Sequence, residues 1–263
     1  MPTRLRGLKL SSPCPFHEER WTVSESYYAG AYWGPRRESS EECARRMGTL
    51  LAGLPSVDPS LASWYQQGKS RKDALKKPLR PDPAALELFV RQGKDRIFED
   101  LGFSVGGWNG ASDDYEVSGF LIRCGAYSEG GGNRCVFTLP SKGPSQDRLV
   151  TASALAALMG KTAAAWEPDW GVAISEQHRD LAKPRHAKGA PHVGWVTYLS
   201  ARRGTVPPLP APVRIEPVED KGTLITLTPE RFTVSNLEHM TLAEQVRELL
   251  DRAGLLKPLQ ARP

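Results

Sequence analysis

Residues 165–175 read AWEPDWGVAIS and residues 191–200 read PHVGWVTYLS, with a stretch rich in Lys, Arg and His between them. The apolar runs 171–174 and 193–199 are short, rich in β-branched and aromatic residues, and bounded by Pro, Gly and polar clusters. At that length such runs read as buried strands. Trp166, Trp170 and Trp195 place three of the chain's seven Trp close together. Large aromatics are buried mostly for packing, so this stretch reads as the heart of a core rather than as a ligand pocket.

Working outward, residues 26–33 (SYYAGAYW) form a further strand that Gly34-Pro35 ends. Ser39 and Glu42 have the spacing of a capping box. Cys43, Met47, Leu50, Leu51 and Leu54 then fall on one helical face. Asp58-Pro59, Ser70 with Asp73, and Asp82-Pro83 each carry a helix-start signal. Gly68 offers a stop for the first, and Gly93 stops the run containing Leu86, Leu88, Phe89 and Val90. Ile97, Phe98 and Leu101 make another amphipathic turn before Gly102.

Residues 104–115 (SVGGWNGASDDY) read as a Gly-rich acidic loop. Strands are expected at 116–124 and 134–139 and a helix at 147–165. Two more strands, 213–218 and 223–227, pair across an EDKG turn. A short helix starts at Thr228, and Thr241 with Glu244 caps a last one. The expected fold is α+β, with a mixed, largely antiparallel β-sheet packed with helices. Residues 1–25 read as an irregular leader and 26–263 as one domain, helical over 38–102, β-rich over 103–240 and closed by a helix over 241–254.

Composition bounds the function. Hydrophobic residues make up 40% and charged residues 25%, the balance of an ordinary globular protein. No apolar run approaches the roughly 18 residues of a membrane span. The basic N-terminal stretch lacks an apolar h-region, which points to the cytosol. There the four Cys (14, 43, 124 and 135), with no CxxC pair, are expected as free thiols, without a zinc site. The net charge of +5 owes much to Lys69, Arg71, Lys72, Lys76, Lys77 and Arg80. No aromatic interleaves there, so the run reads as a solvated face rather than a nucleic-acid site.

Motifs for catalysis are weak. Residues 102–106 match GxSxG, and Asp169 and His192 follow Ser104 in the order of a serine hydrolase. The elbow, however, needs a strand before the Ser and a helix after it, whereas the pattern here gives a helix before and a loop after. Gly160-Lys161-Thr162 lacks the first Gly of a phosphate loop and lies inside a helix. His178, His186 and His192 surround a basic loop and have no metal-ligand spacing. No cofactor site emerges, which favours a binding protein over an enzyme.

Six blocks in order carry a specific likeness: YYAGAYWGPRRESSEEC, LASWYQQGKSRKDAL, LGFSVGGWNG, AWEPDWGVAIS, VGWVTYLS and GTLITLTPERFT. Together they resemble the immunity protein 52 family over nearly the whole chain. The resemblance implies a non-enzymatic antitoxin of a bacterial polymorphic-toxin or contact-delivered (type VI secretion) system. It would bind one cognate toxin in the producer's cytosol, typically a restriction-endonuclease-like nuclease, with no membrane or direct nucleic-acid contact. An inhibitor of a nuclease must cover a basic cleft or block a movement, and an acidic loop with an aromatic anchor suits that task. The candidate contacts are therefore Trp108, Asp113, Asp114, Tyr115 and Glu116. Tyr127 and Glu129, in the Gly-rich connector that follows, are expected to extend them.

Overall fold

Ser39 starts the first helix as its spacing predicts. Its hydroxyl accepts from the Glu42 amide at 3.1 Å, and the Glu42 carboxylate accepts from the Ser39 amide at 2.7 Å. This reciprocal cap stabilises a helix by about 1 kcal/mol. The computed structural model describes residues 25–128, 132–183 and 189–258. Apart from Glu25, the predicted leader lies outside them.

The strands are β1 (Tyr27–Trp33), β2 (Tyr65–Gln66), β3 (Phe103–Trp108), β4 (Gly119–Cys124) and β5 (Asn133–Thr138). They continue as β6 (Trp170–Ser175), β7 (Val196–Ser200), β8 (Arg214–Val218) and β9 (Gly222–Thr226). All nine form one sheet in the order β2-β3-β4-β5-β1-β6-β7-β9-β8. Every pairing is antiparallel, with β1 between β5 and β6. The helices are α1 (Ser40–Gly53), α2 (Arg71–Ala74), α3 (Pro83–Gln92), α4 (Pro144–Leu149), α5 (Ala152–Trp166), α6 (Glu176–Ala182) and α7 (Leu237–Arg252). The fold is α+β.

The two apolar runs form β6 and β7, with Trp195 just before β7, and every residue in both strands is buried. Such strands are covered on both faces. On one face α5 packs against β1, β6, β7 and β9. Trp33 of β1 stacks on Trp166 at 5.3 Å, and the bare backbone of Gly171 leaves room for the Met159 methyl. On the other face the segment before β7 crosses β6, where a Cβ on Gly194 would come within 2.5 Å of Val172 Cγ2. Buried Ala243, Val246 and Leu250 of α7 add to the core.

Several expectations need correction. Residues 103–108 are a strand, not a loop: Gly106 and Gly107 hide it in the sequence. A Cβ on Gly107 would meet the Phe120 ring at 2.6 Å, so packing rather than propensity selects the glycine. Gly68 caps no helix, because Asp58 starts only a 3₁₀ turn (Pro59–Leu61) and β2 follows. Ile97 and Phe98 are 80% and 58% exposed, and only Glu99–Leu101 turns as 3₁₀ helix. The helix expected over 147–165 is two, since Thr151 caps a new start by accepting from the Ala154 amide at 3.2 Å. The stretch after Ser175 begins with α6, and no helix forms at Thr228. The last helix starts at Asn236, which accepts from the Glu238 amide at 2.9 Å, while Thr241 bonds back to the Leu237 carbonyl within it.

Candidate functional site

Ser104, Asp169 and His192 form no triad. Ser104 is inside β3 and Asp169 immediately precedes β6, four strands away, which is about 19 Å at the usual strand spacing. Asp169 accepts instead from the Gly34 amide at 2.8 Å and from Arg202 at 2.5 Å. The Ser104 backbone pairs in register with Arg123, so it makes no strand-to-helix elbow. The Gly160-Lys161-Thr162 segment lies within α5, and the Thr162 hydroxyl donates to the Leu158 carbonyl at 2.8 Å.

Among the described residues no group of His, Cys, Asp and Glu is placed to hold a metal ion; His186 falls outside them. His178 is buried and stacks on Phe232 at 4.9 Å, and desolvation pushes its imidazole down to about 4. It is a neutral core group at physiological pH. Cys43, Cys124 and Cys135 are buried free thiols, and Cys14 lies outside the described residues.

The sheet does assemble a surface. Alternate residues of a strand point to opposite faces. In β1, Tyr27, Ala29, Ala31 and Trp33 belong to the helix-covered side, whereas Tyr28, Gly30 and Tyr32 look away from it. Register carries this pattern sideways. Ser104, Arg123, Arg134, Tyr32 and Trp170 form one row across five strands. Gly106, Leu121, Val136 and Gly30 form the next, followed by Trp108, Gly119, Thr138 and Tyr28.

Over β4, β5 and β1 this face is reached by solvent. Leu121 is 41% exposed, and Arg123, Arg134, Val136, Tyr28 and Tyr32 are half-buried. A groove of about 630 Å³ opens here, lined among others by Tyr28, Tyr32, Arg134, Val136, Trp170 and Arg179. The Tyr32 ring stacks on Trp170 at 4.3 Å, and the Arg179 guanidinium sits 5.5 Å over the Tyr28 ring. Burial pushes both phenols above their usual range. The alternation in SYYAGAYW was a usable signal for Tyr28 and Tyr32; Arg123 and Arg134 needed the register.

The acidic loop adjoins one end of this face. Trp108 ends β3 in the third row, with the Arg71 guanidinium 5.7 Å from its ring. Arg71 also pairs with Asp114 at 2.7 Å and donates to the Ser112 carbonyl at 2.6 Å. Asp113 caps the 3₁₀ turn Asp114–Glu116 by accepting from the Tyr115 amide at 2.9 Å. The Tyr115 ring is half-exposed, with Lys142 Nζ 4.8 Å from its centre. Glu116 accepts from the Ser145 hydroxyl. The loop is thus an ordered lobe in which Arg71 and Lys142 offset part of the acidity. Two residues of the basic run are occupied: Arg71 by this loop and Lys77 by Asp73 at 2.8 Å.

Tyr127 does not join the loop. It follows β4, and β4 pairs Cys124 with Phe103 but Gly119 with Trp108. Tyr127 is therefore at the opposite end of the hairpin, about 17 Å along six residues of strand. There its amide donates to the Asp100 carbonyl at 2.9 Å and its ring meets Arg37. Glu129 lies outside the described residues.

A family model described as immunity protein 52 matches residues 25–259. The chain belongs to the immunity protein 52 family. Membership assigns it an immunity role, with a toxin as partner and no catalysis. No curated protein matches the chain. Among solved structures it is similar to a T6SS protein of Pseudomonas aeruginosa. That match has a TM-score of 0.53 and 14% identity, and covers 86% of this chain and 72% of that one. At that identity the likeness concerns the fold. Among the described residues no helix is long and apolar enough to cross a membrane.

Proposed function

We propose that this immunity protein neutralises a cognate nuclease toxin by forming a stoichiometric complex with it in the producer's cytosol. The observation that carries the reading is the family match over residues 25–259. The T6SS assignment of the Pseudomonas aeruginosa protein of similar fold supports a contact-delivered toxin. The proposed contacts on the acidic lobe are Trp108, Asp113, Asp114, Tyr115 and Glu116. Asp114, whose side chain is 91% exposed beside Arg71, presents its charge to solvent. Tyr127 would form a separate contact rather than an extension of the lobe, and Glu129 is proposed as a further contact without a placement.

The test is to mix the purified chain with the product of the neighbouring toxin gene. Size-exclusion chromatography with light scattering gives the stoichiometry, and plasmid cleavage gives the toxin's activity. The expected result is one complex of fixed ratio with cleavage abolished. A toxin that stays free, or one that binds and cleaves at full rate, would overturn the reading.

A further inference from the structure

We propose that the open sheet face of β4, β5 and β1 is a second toxin-docking surface and receives an acidic patch of the toxin. This inference rests on the toxin-binding reading and adds to it a surface and a partner chemistry. The middle of the face carries positive charge, and Glu176 joins Arg179 and Lys183 in lining the groove beside it. Arg123 and Arg134 stand opposite each other on paired strands, and among the described residues neither has an ion-pair partner. Asp95 is near enough for Arg123 to help lower its carboxyl, but the amides of Phe98 and Ile97 hold that carboxylate more strongly. Arg179 and Lys183 at the rim share Asp180, at 3.0 and 2.9 Å. The positive excess therefore sits at the middle of the face, beside the apolar pair Leu121 and Val136. Half-buried guanidinium groups beside apolar side chains form strong, directional pairs with carboxylates once a partner excludes water.

Three other occupants fit less well. A second copy docking symmetrically through this face would bring arginines toward arginines. The N-terminal 24 residues hold four Arg or Lys against two Glu, so they share the sign of the face. Nucleic acid would use exposed ring faces for stacking. Here Tyr32 is already stacked on Trp170 and Tyr28 lies beneath Arg179. An acidic protein surface needs only the guanidinium groups and the apolar pair. The acidic lobe at the end of the same face then meets basic parts of the toxin, giving the interface two signs of charge and a fixed orientation.

The test compares toxin affinity of the wild-type chain, the double charge reversal Arg123→Glu/Arg134→Glu, and the charge-keeping Arg123→Lys/Arg134→Lys. Thermal melts establish that each variant is folded. The expected result is a roughly 100-fold or greater rise in Kd for the double reversal, with most affinity kept by the lysine variant. Unchanged affinity in a folded reversal variant would overturn the surface while leaving the function intact. Should the reversal variant fail to fold, the folded Arg123→Ala/Arg134→Ala variant must weaken binding at least tenfold, and equal affinity would overturn the proposal. A wild-type chain with no toxin affinity would remove both readings. A self-associated chain that the reversal makes monomeric, or binding of a single-stranded oligonucleotide that the reversal abolishes, would assign the face to the other occupant.

Discussion

Asp58 ties the 3₁₀ turn Pro59–Leu61 to α4, and removing its charge has a calculable consequence. The carboxylate is 4% exposed and accepts from the Ser60 amide at 2.8 Å and from Arg148 at 2.7 and 3.3 Å. Asp58→Asn keeps a good capping side chain but loses the charge-assisted bonds; Asp58→Ala loses both. The cap contributes about 1 kcal/mol. A hydrogen bond to a charged group contributes about 1.5–3 kcal/mol, and the half-exposed Arg148 side chain places this one at the lower end. The expected losses at pH 7 are therefore about 1.5 kcal/mol for Asn and about 2.5 kcal/mol for Ala. At about 2–4 °C per kcal/mol for a chain of this size, Ala lowers Tm by roughly 5–10 °C.

The pH dependence is a second handle on the same residue. Burial alone would raise the Asp58 carboxyl, but the bonds from Arg148 and Ser60 outweigh it and leave it below its ordinary value. A lowered carboxyl contributes stability above its unfolded pKa of about 3.9 and loses it as pH falls through the folded value. Urea melts followed by circular dichroism at pH 7 and pH 3 should show the gap between wild type and Asn narrowing in acid. Equal stability of wild type and Asn at pH 7, or a gap unchanged at pH 3, would refute the reasoning.

Three other perturbations follow from the packing. His178, held down to about 4 by burial, is neutral when folded but titrates near 6.5 when unfolded. Its stabilising term is complete above about 6.5 and is lost as pH falls through 4, up to about 3 kcal/mol. Urea midpoints between pH 7 and pH 4 should fall less for His178→Phe than for wild type. Gly171→Ala drives a methyl into Met159 and should destabilise by about 1–3 kcal/mol, read as a lowered urea midpoint at unchanged slope. Cys124 is raised by its hydrogen bond to Cys43 and by burial, and Cys135 by burial. These two and Cys43 should resist Ellman's reagent until urea unfolds the chain; fast reaction of more than one thiol in native protein would contradict this burial.

Legibility followed range. The starts of α1, α2 and α3 were readable because a cap and its partner lie within three residues, as with Ser39 and Glu42, Ser70 and Asp73, or Asp82 and Ala85. The cores of β6 and β7 were readable because strands buried on both faces are rich in β-branched and aromatic residues. β3 was hidden because Gly106 and Gly107 report on the Gln67 and Phe120 side chains laid over them, not on their own preference. The start of α7 was displaced because Thr241 has a capping residue's chemistry but spends its hydroxyl on the preceding turn. The acidic lobe was legible as a stretch of sequence. The open face was not, because Tyr32 joins the row of Arg123 and Arg134 only through the register of β1 with the β4–β5 hairpin, which lies far along the chain.

The central claim is that this chain is an inhibitory binding partner. Isothermal titration of the chain into its toxin, with plasmid cleavage followed on the same samples, tests it most directly. The account predicts a sharp saturation at fixed stoichiometry, with cleavage falling linearly to zero at the same ratio. Heat without saturation, or full cleavage beyond the equivalence point, would contradict it.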